Sequence, residues 1–373
     1  MIVMVLDHVR DFYHAGAMTF QADDLTRTSA VLFFTRWITH ICAPVFMFTA
    51  GLAAYFWWWD RGRTKGQLSR FLWTRGLWLV FLELTAVRVA FTFGSGPLIL
   101  NVLWALGWSM VVLALLVHLP VRVLAVLSVA VMALHNLADP FTVAPMSPRS
   151  SIWMMVHQPG VVNFGGFMVV VAYPLVPWFA VMAAGFCFGS VFGLDRSRRR
   201  RWLVRIGVGL ILGFLVIRGI NLYGDPQPWS SRIPGMTLLS FLRCTKYPPS
   251  LDFLMMTLGP AMLLLAWFER FRFSSGHPLI VFGRVPLFFF LVHLFVIHLA
   301  AFPLAIIRYG HAAFLLNPLP SLGGPANLYP PGYGYSLTFV YGLWIAIVVL
   351  LYPLCRWFAK LKARRRDWWL SYL

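Results

Sequence analysis

Long apolar stretches constrain this chain more than any other feature. Nine of them lie near residues 30–58, 71–93, 98–118, 121–137, 173–194, 202–222, 251–268, 278–307 and 336–358. At 1.5 Å per residue, about 20 apolar residues in a helix cross the ~30 Å hydrocarbon core of a bilayer. A tenth, partial run extends from Met1 to about Val9. Only 12% of the residues are charged, against roughly 25% in a soluble domain, too few to cover a water-facing surface. Disorder needs low hydrophobicity, and a β-barrel needs strands that alternate apolar and polar. The expected fold is an all-α, polytopic transmembrane helical bundle of about ten helices with the first truncated, forming one domain over 1–373 with a basic tail at 359–373.

The net charge of +19 fits the same picture. Twenty Lys and Arg fall in one set of loops and helix ends: 59–75, Arg122, 195–205, Arg270, Arg272 and the tail. Seven fall in the other: Arg10, Arg27, Arg149, Arg232, Arg243, Lys246 and Arg308. With ten helices the two sets lie on opposite faces, so the richer one is expected to be cytoplasmic together with both termini. An integral protein of a bacterial inner membrane is the expected setting, with the lipid bilayer as partner and nucleic acid not expected. The Arg198–Arg201 run reads as a topology anchor or as an attractor of an anionic ligand. The three longest loops, about 138–172, 223–250 and 308–335, all fall on the outer side and read as packed. Cys42, Cys187, Cys244 and Cys355 are scattered, and no spacing suggests a metal or a disulfide framework.

Met1 to Val9 supplies only about 13 Å of helix, so the natural chain is expected to start upstream. At the outer end of this short helix lies the densest group of titratable residues, Asp7, His8, Arg10, Asp11 and His14. Asp7, Asp11 and His14 follow i, i+4, i+7 spacing and share one helix face. A carboxylate one turn from an imidazole holds its tautomer and raises its basicity; the plainer alternative is a solvated helix end. Arg36 and His40 form a second i, i+4 pair. Glu83 sits mid-membrane and needs a partner, with Arg75 and Arg88 on the same helix. Arg284, His293 and His298 form a third group. His293 and His298 are five apart and cannot chelate one metal from one face. In the outer loops, Asn221–Asp225 and Thr245–Ser250 are the polar features, and Lys246 beside Tyr247 reads as an interfacial anchor.

Several segments together carry a resemblance. MVLDHVRDFYH, LFFTRWITHICAPVFMFTAG, RFLWTRGLWLVFLELT, VLWALGWSM, TKYPPSLDFLMMTLGP and FGRVPLFFFLVHL resemble the bacterial branch of the heparan-α-glucosaminide N-acetyltransferase catalytic-domain family, part of a wider group of transmembrane acyltransferases. The resemblance runs in order from residue 1 to about 300. It implies transfer of an acetyl or short acyl group from cytoplasmic acyl-CoA to an extracytoplasmic sugar or glycolipid. No cofactor is implied, since acetyl-CoA is a substrate.

The family's essential histidine is followed by alanine, which matches His14 in Tyr13-His14-Ala15. Members usually carry an upstream stretch with Asp and an Arg-Gly pair, which this sequence lacks. The resemblance then suggests His14 as base, oriented by Asp11 or Asp7, and Arg36 or His40 at the oxyanion or thioester carbonyl. Arg75, Arg284, His293 and Lys246 are the expected donor contacts. A homodimer is compatible with such a chain. The alternative is a transporter of a small polar or lipidic solute, against which the lack of a visible internal repeat argues mildly.

Overall fold

The computed structural model describes residues 1–146, 150–365, 367 and 370; Arg149 and Arg366, both counted above, lie outside them. In chain order the helices are α1 (Ile2–Tyr13), α2 (Ala30–Thr39), α3 (Cys42–Trp59), α4 (Lys65–Leu82), α5 (Arg88–Thr92), α6 (Val102–Leu116), α7 (Val121–Leu134), α8 (Ser151–Val156), α9 (Trp178–Phe188), α10 (Arg196–Ile220), α11 (Thr237–Leu242), α12 (Leu251–Phe268), α13 (Pro278–Arg284), α14 (Pro286–Tyr309) and α15 (Leu337–Arg364). Three short strands are β1 (Leu98–Leu100), β2 (Gly160–Phe164) and β3 (Phe167–Val171).

Every apolar run carries a helix, and the chain is an all-α polytopic membrane protein. Among the described residues, six stretches are long and apolar enough to cross a membrane: Ala30–Trp59, Val121–Ala138, Arg196–Ile220, Leu251–Phe268, Pro286–Tyr309 and Leu337–Arg364. The other runs are shorter or interrupted. Side chains such as Val126, Val216 and Val349 point outward, as suits a hydrocarbon solvent. Polar caps set several starts. Ser29, Ser250 and Ser336 each accept a backbone N–H three residues on, and Thr64 forms a capping box with Gln67, each worth about 1 kcal/mol.

The chain divides into two compact units. The first comprises Met1–Cys42, Thr85–Gly96 and Arg272–Leu373. Here α1 packs against α2, α14 and α15, and Val5, Leu6, Val9, Phe12 and Tyr13 are fully buried. The loop after α14 straps onto the end of α1. Tyr333 donates to the Phe12 carbonyl at 3.3 Å and Ser321 to the Asp11 carbonyl at 2.8 Å. The basic tail begins as helix, because α15 continues to Arg364.

The second unit comprises Ala43–Leu84 and Pro97–Phe271. Its main helix pairs are α4 with α6, α10 with α12 and α7 with α9. α4 and α6 cross on Gly76 and Gly107. A Cβ at either glycine would stand 2.5 Å from the other's carbonyl oxygen, so only glycine allows this approach. Glu83 finds its partner here. Its Oε2 accepts the Leu103 and Trp104 backbone N–H groups at 2.8 and 3.1 Å, capping α6 where Asn101 gives no side-chain cap.

The sheet is the feature that the apolar pattern did not anticipate. β1 pairs parallel with β3, and β3 antiparallel with β2, around Leu100, Met154, Val162, Val169 and Val171. The 98–118 run therefore begins as a strand, and the 138–172 segment holds a hairpin. The polar loop features form a clamp. Asp225 accepts from Thr245 N at 2.7 Å, Thr245 Oγ1 at 2.9 Å and Ser250 Oγ at 2.6 Å. Buried Arg218 donates to the carbonyls of Gln227, Ser240, Phe241 and Arg243.

Candidate active site

Four charged side chains of the first unit form one network. Arg36 Nη1 donates to both oxygens of Asp7 at 2.6 Å, and Thr39 Oγ1 adds a bond to Asp7 Oδ1 at 3.0 Å. Arg10 Nη2 lies 3.0 Å from Asp7 Oδ1 and 2.6 Å from Asp11 Oδ1. Two arginines thus balance two carboxylates, which is the condition under which buried charge is tolerated. α1 supplies Asp7, Arg10 and Asp11 from successive turns, and α2 supplies Arg36 and Thr39.

His14 lies immediately past α1, where the backbone turns extended with ψ 126°. A short parallel bridge holds it there. Tyr335 N donates to Tyr13 O at 2.6 Å, and Ala15 N donates to Tyr335 O at 3.1 Å. The imidazole lies across Gly16, where an added Cβ would stand 2.7 Å from Cε1 and 2.9 Å from Nδ1. His14 lines a cleft with Arg10, Asp11, Ala17, Phe20, Gln21, Ala22, Leu32 and Ser321, whose interior has room for about one water. Burial, and secondarily the charge of Arg10, lower the His14 pKa from its ordinary 6.5.

Within this cleft three buried nitrogens have no hydrogen-bond partner among the described residues: His14 Nδ1, Arg10 Nε and Arg10 Nη1. That corrects the expected orientation of His14. Neither Asp7 nor Asp11 holds its ring; both acids are bound to arginine. The helical spacing misled because α1 ends at Tyr13, and His14 no longer follows the helix face. Arg36, expected at the oxyanion or thioester carbonyl, is engaged with Asp7 through Nη1. His40 is buried at the turn that ends α2.

The two expected donor contacts of the first unit, His293 and Arg284, do not gather around His14. His293 is fully buried, with Nδ1 2.8 Å from the Phe289 carbonyl and Nε2 2.8 Å from His8 Nδ1. Both ring nitrogens of this expected donor contact are engaged inside the bundle. Arg284 is exposed before α14. That helix, about 36 Å long at 1.5 Å per residue, separates it from Arg308, which binds Gly334 O at the His14 end. In the second unit Arg75 stacks on Phe71 at 4.1 Å and Lys246 on Tyr247 at 5.2 Å. Lys65 donates to the His118 and Leu119 carbonyls beyond the end of α6. His298 is a core histidine, with both ring nitrogens at backbone carbonyls. Among the described residues no three His, Cys, Asp or Glu side chains gather as a metal site.

Sequence reasoning counted Arg10 only as a charge, and it passed over Thr39, Ser321 and Gly16. One signal was present: Arg10 and His14 are i, i+4.

The sequence profile described as heparan-alpha-glucosaminide N-acetyltransferase, catalytic, matches residues 1–221. The chain belongs to this family. The matched part of this heparan-alpha-glucosaminide N-acetyltransferase family member contains Asp7, Arg10, Asp11, His14, Arg36 and Thr39, whereas Ser321 and Tyr335 follow it. No curated protein and no solved structure matches the chain. The family is one of membrane acetyltransferases, and the six apolar spans make this member an integral membrane protein.

Proposed function

We propose that the protein transfers an acetyl or short acyl group from acyl-CoA on the cytoplasmic side to a sugar or glycolipid on the other side of a bacterial inner membrane, with both termini cytoplasmic. His14 is the general base. The observation that carries this reading is the position of its Nδ1: buried in a cleft, without a protein partner among the described residues, and inside the segment that matches the family. The reaction asks little else of the base. His14 takes the proton of the acceptor amine or hydroxyl as that atom attacks the thioester carbonyl. The tetrahedral intermediate then expels the CoA thiolate, which recovers the proton from the imidazolium. A lowered pKa keeps the imidazole neutral, and so competent, at neutral pH.

The test is calorimetry with acetyl-CoA on the detergent-purified protein, joined to a thiol-release assay with glucosamine as acceptor. His14→Ala is expected to bind acetyl-CoA like the wild type and to lose about 10²–10⁴ in turnover. Absence of acetyl-CoA binding by the wild type sinks the reading in favour of a transporter. Full turnover by His14→Ala sinks the choice of base.

A further inference from the structure

The cleft holds a second chemical group that the base mechanism leaves unused. Arg10 is 5% exposed, and a buried guanidinium normally satisfies its donors. Here Nη2 alone is spent on Asp7 and Asp11, and Nε and Nη1 have no acceptor among the described residues. Leaving such donors unmet costs stability. Arg10 and His14 both line the same cleft. The interior of that cleft has room for about one water-sized group.

We propose that Arg10 is a catalytic residue whose Nε and Nη1 donors receive the oxyanion that forms when the acceptor attacks the acyl carbonyl. The proposal rests on the acyl-transfer reading above. Asp7 and Asp11 act as positioning residues: each holds Nη2, and Arg36 and Thr39 in turn hold Asp7. The guanidinium is thereby fixed before the reaction, so no reorganisation is needed when charge develops. As the carbonyl carbon becomes tetrahedral, its π electrons move to oxygen and Arg10 binds that oxygen. As the C–S bond breaks, the carbonyl re-forms and the contact weakens. Arg36, the cation favoured by sequence spacing, is the support of this arrangement. The positive charge of Arg10, after burial, also favours the neutral form of the neighbouring imidazole.

Arg10→Lys and Arg10→Ala test this in the full-length protein, by thiol release from acetyl-CoA with glucosamine or water as acceptor. Lysine retains a cation for Asp7 and Asp11 and removes the planar donors. Arg10→Lys is expected to melt like the wild type, to keep its KM for acetyl-CoA, and to lose about 10²–10³ in kcat. Guanidinium ion added to Arg10→Ala is expected to restore part of kcat, which a purely structural arginine would not allow. Wild-type kcat in Arg10→Lys overturns the proposal, as does an Arg10→Ala protein that folds and is not rescued. Either result beside an inactive His14→Ala leaves the base reading standing. If the wild type releases no thiol with either acceptor, the acyl-transfer reading fails and this proposal with it.

Discussion

His8 Nδ1 stands 2.8 Å from His293 Nε2, with the two rings stacked at a centroid distance of 5.0 Å. The Phe289 carbonyl can only accept, so His293 Nδ1 carries a proton. In a neutral His293, Nε2 is then an acceptor, and His8 donates from Nδ1. His8 is therefore part of the bundle's internal bonding, not an inert neighbour of the cleft. His8→Ala leaves a buried His293 acceptor unmet, at a cost of about 1–3 kcal/mol. The expected result is a lower melting temperature in detergent with kcat per folded molecule retained. A double-mutant cycle with His293→Ala should give a coupling of about 0.5–3 kcal/mol. A cycle that sums to zero contradicts the pairing.

Gly16→Ala probes the placement of the His14 ring. The new Cβ meets Cε1 and Nδ1 well inside contact distance, so the imidazole must rotate. A displacement of about 1 Å at a reacting group can cost 10²-fold in rate. The thiol-release assay is expected to show that loss in kcat, while acetyl-CoA affinity by calorimetry stays unchanged.

The pH profile should carry the signature of a depressed histidine. The neutral imidazole is the active form, and burial and then Arg10 favour it. The midpoint of the acid limb of turnover is therefore expected to lie below the ordinary histidine value of 6.5. Removing the cation with Arg10→Met should move this acid limb upward, toward the ordinary histidine range. A limb that stays in place when Arg10 is replaced would mean that burial alone sets it.

Glu83 tests the cap on α6. Glu83→Ala leaves the Leu103 and Trp104 amides without their acceptor, and is expected to destabilise by about 1–3 kcal/mol. Glu83→Gln keeps an acceptor oxygen and should recover most of that loss. Unfolding in detergent, followed by circular dichroism, compares the two.

The bundle was legible because lipid demands long apolar helices, and these leave a strong mark in a sequence. The sheet was not. β1 is three residues long and hidden at the head of an apolar run, and β2 and β3 occupy a stretch rich in turn formers. The acidic and basic members of the site were also visible, since Asp7, Arg10, Asp11 and Arg36 stand out against apolar neighbours. Their pairing was hidden for two reasons. Helical spacing joined His14 to the acids although the helix ends one residue before it. Periodicity within one segment also cannot see that Arg36, 29 positions away, claims Asp7. Glu83 illustrates the same limit, because its partners are backbone amides that leave no mark in composition.

The bridge between His14 and Tyr335 has a consequence for how the protein is made. His14 is translated more than three hundred residues before the strand of backbone that holds it. At about 5–20 residues per second, a ribosome takes roughly 16–64 s to travel between them. During that interval His14 is without its partner strand. Nascent chains released before Tyr335 should therefore be inert, because His14 lacks the strand that places it.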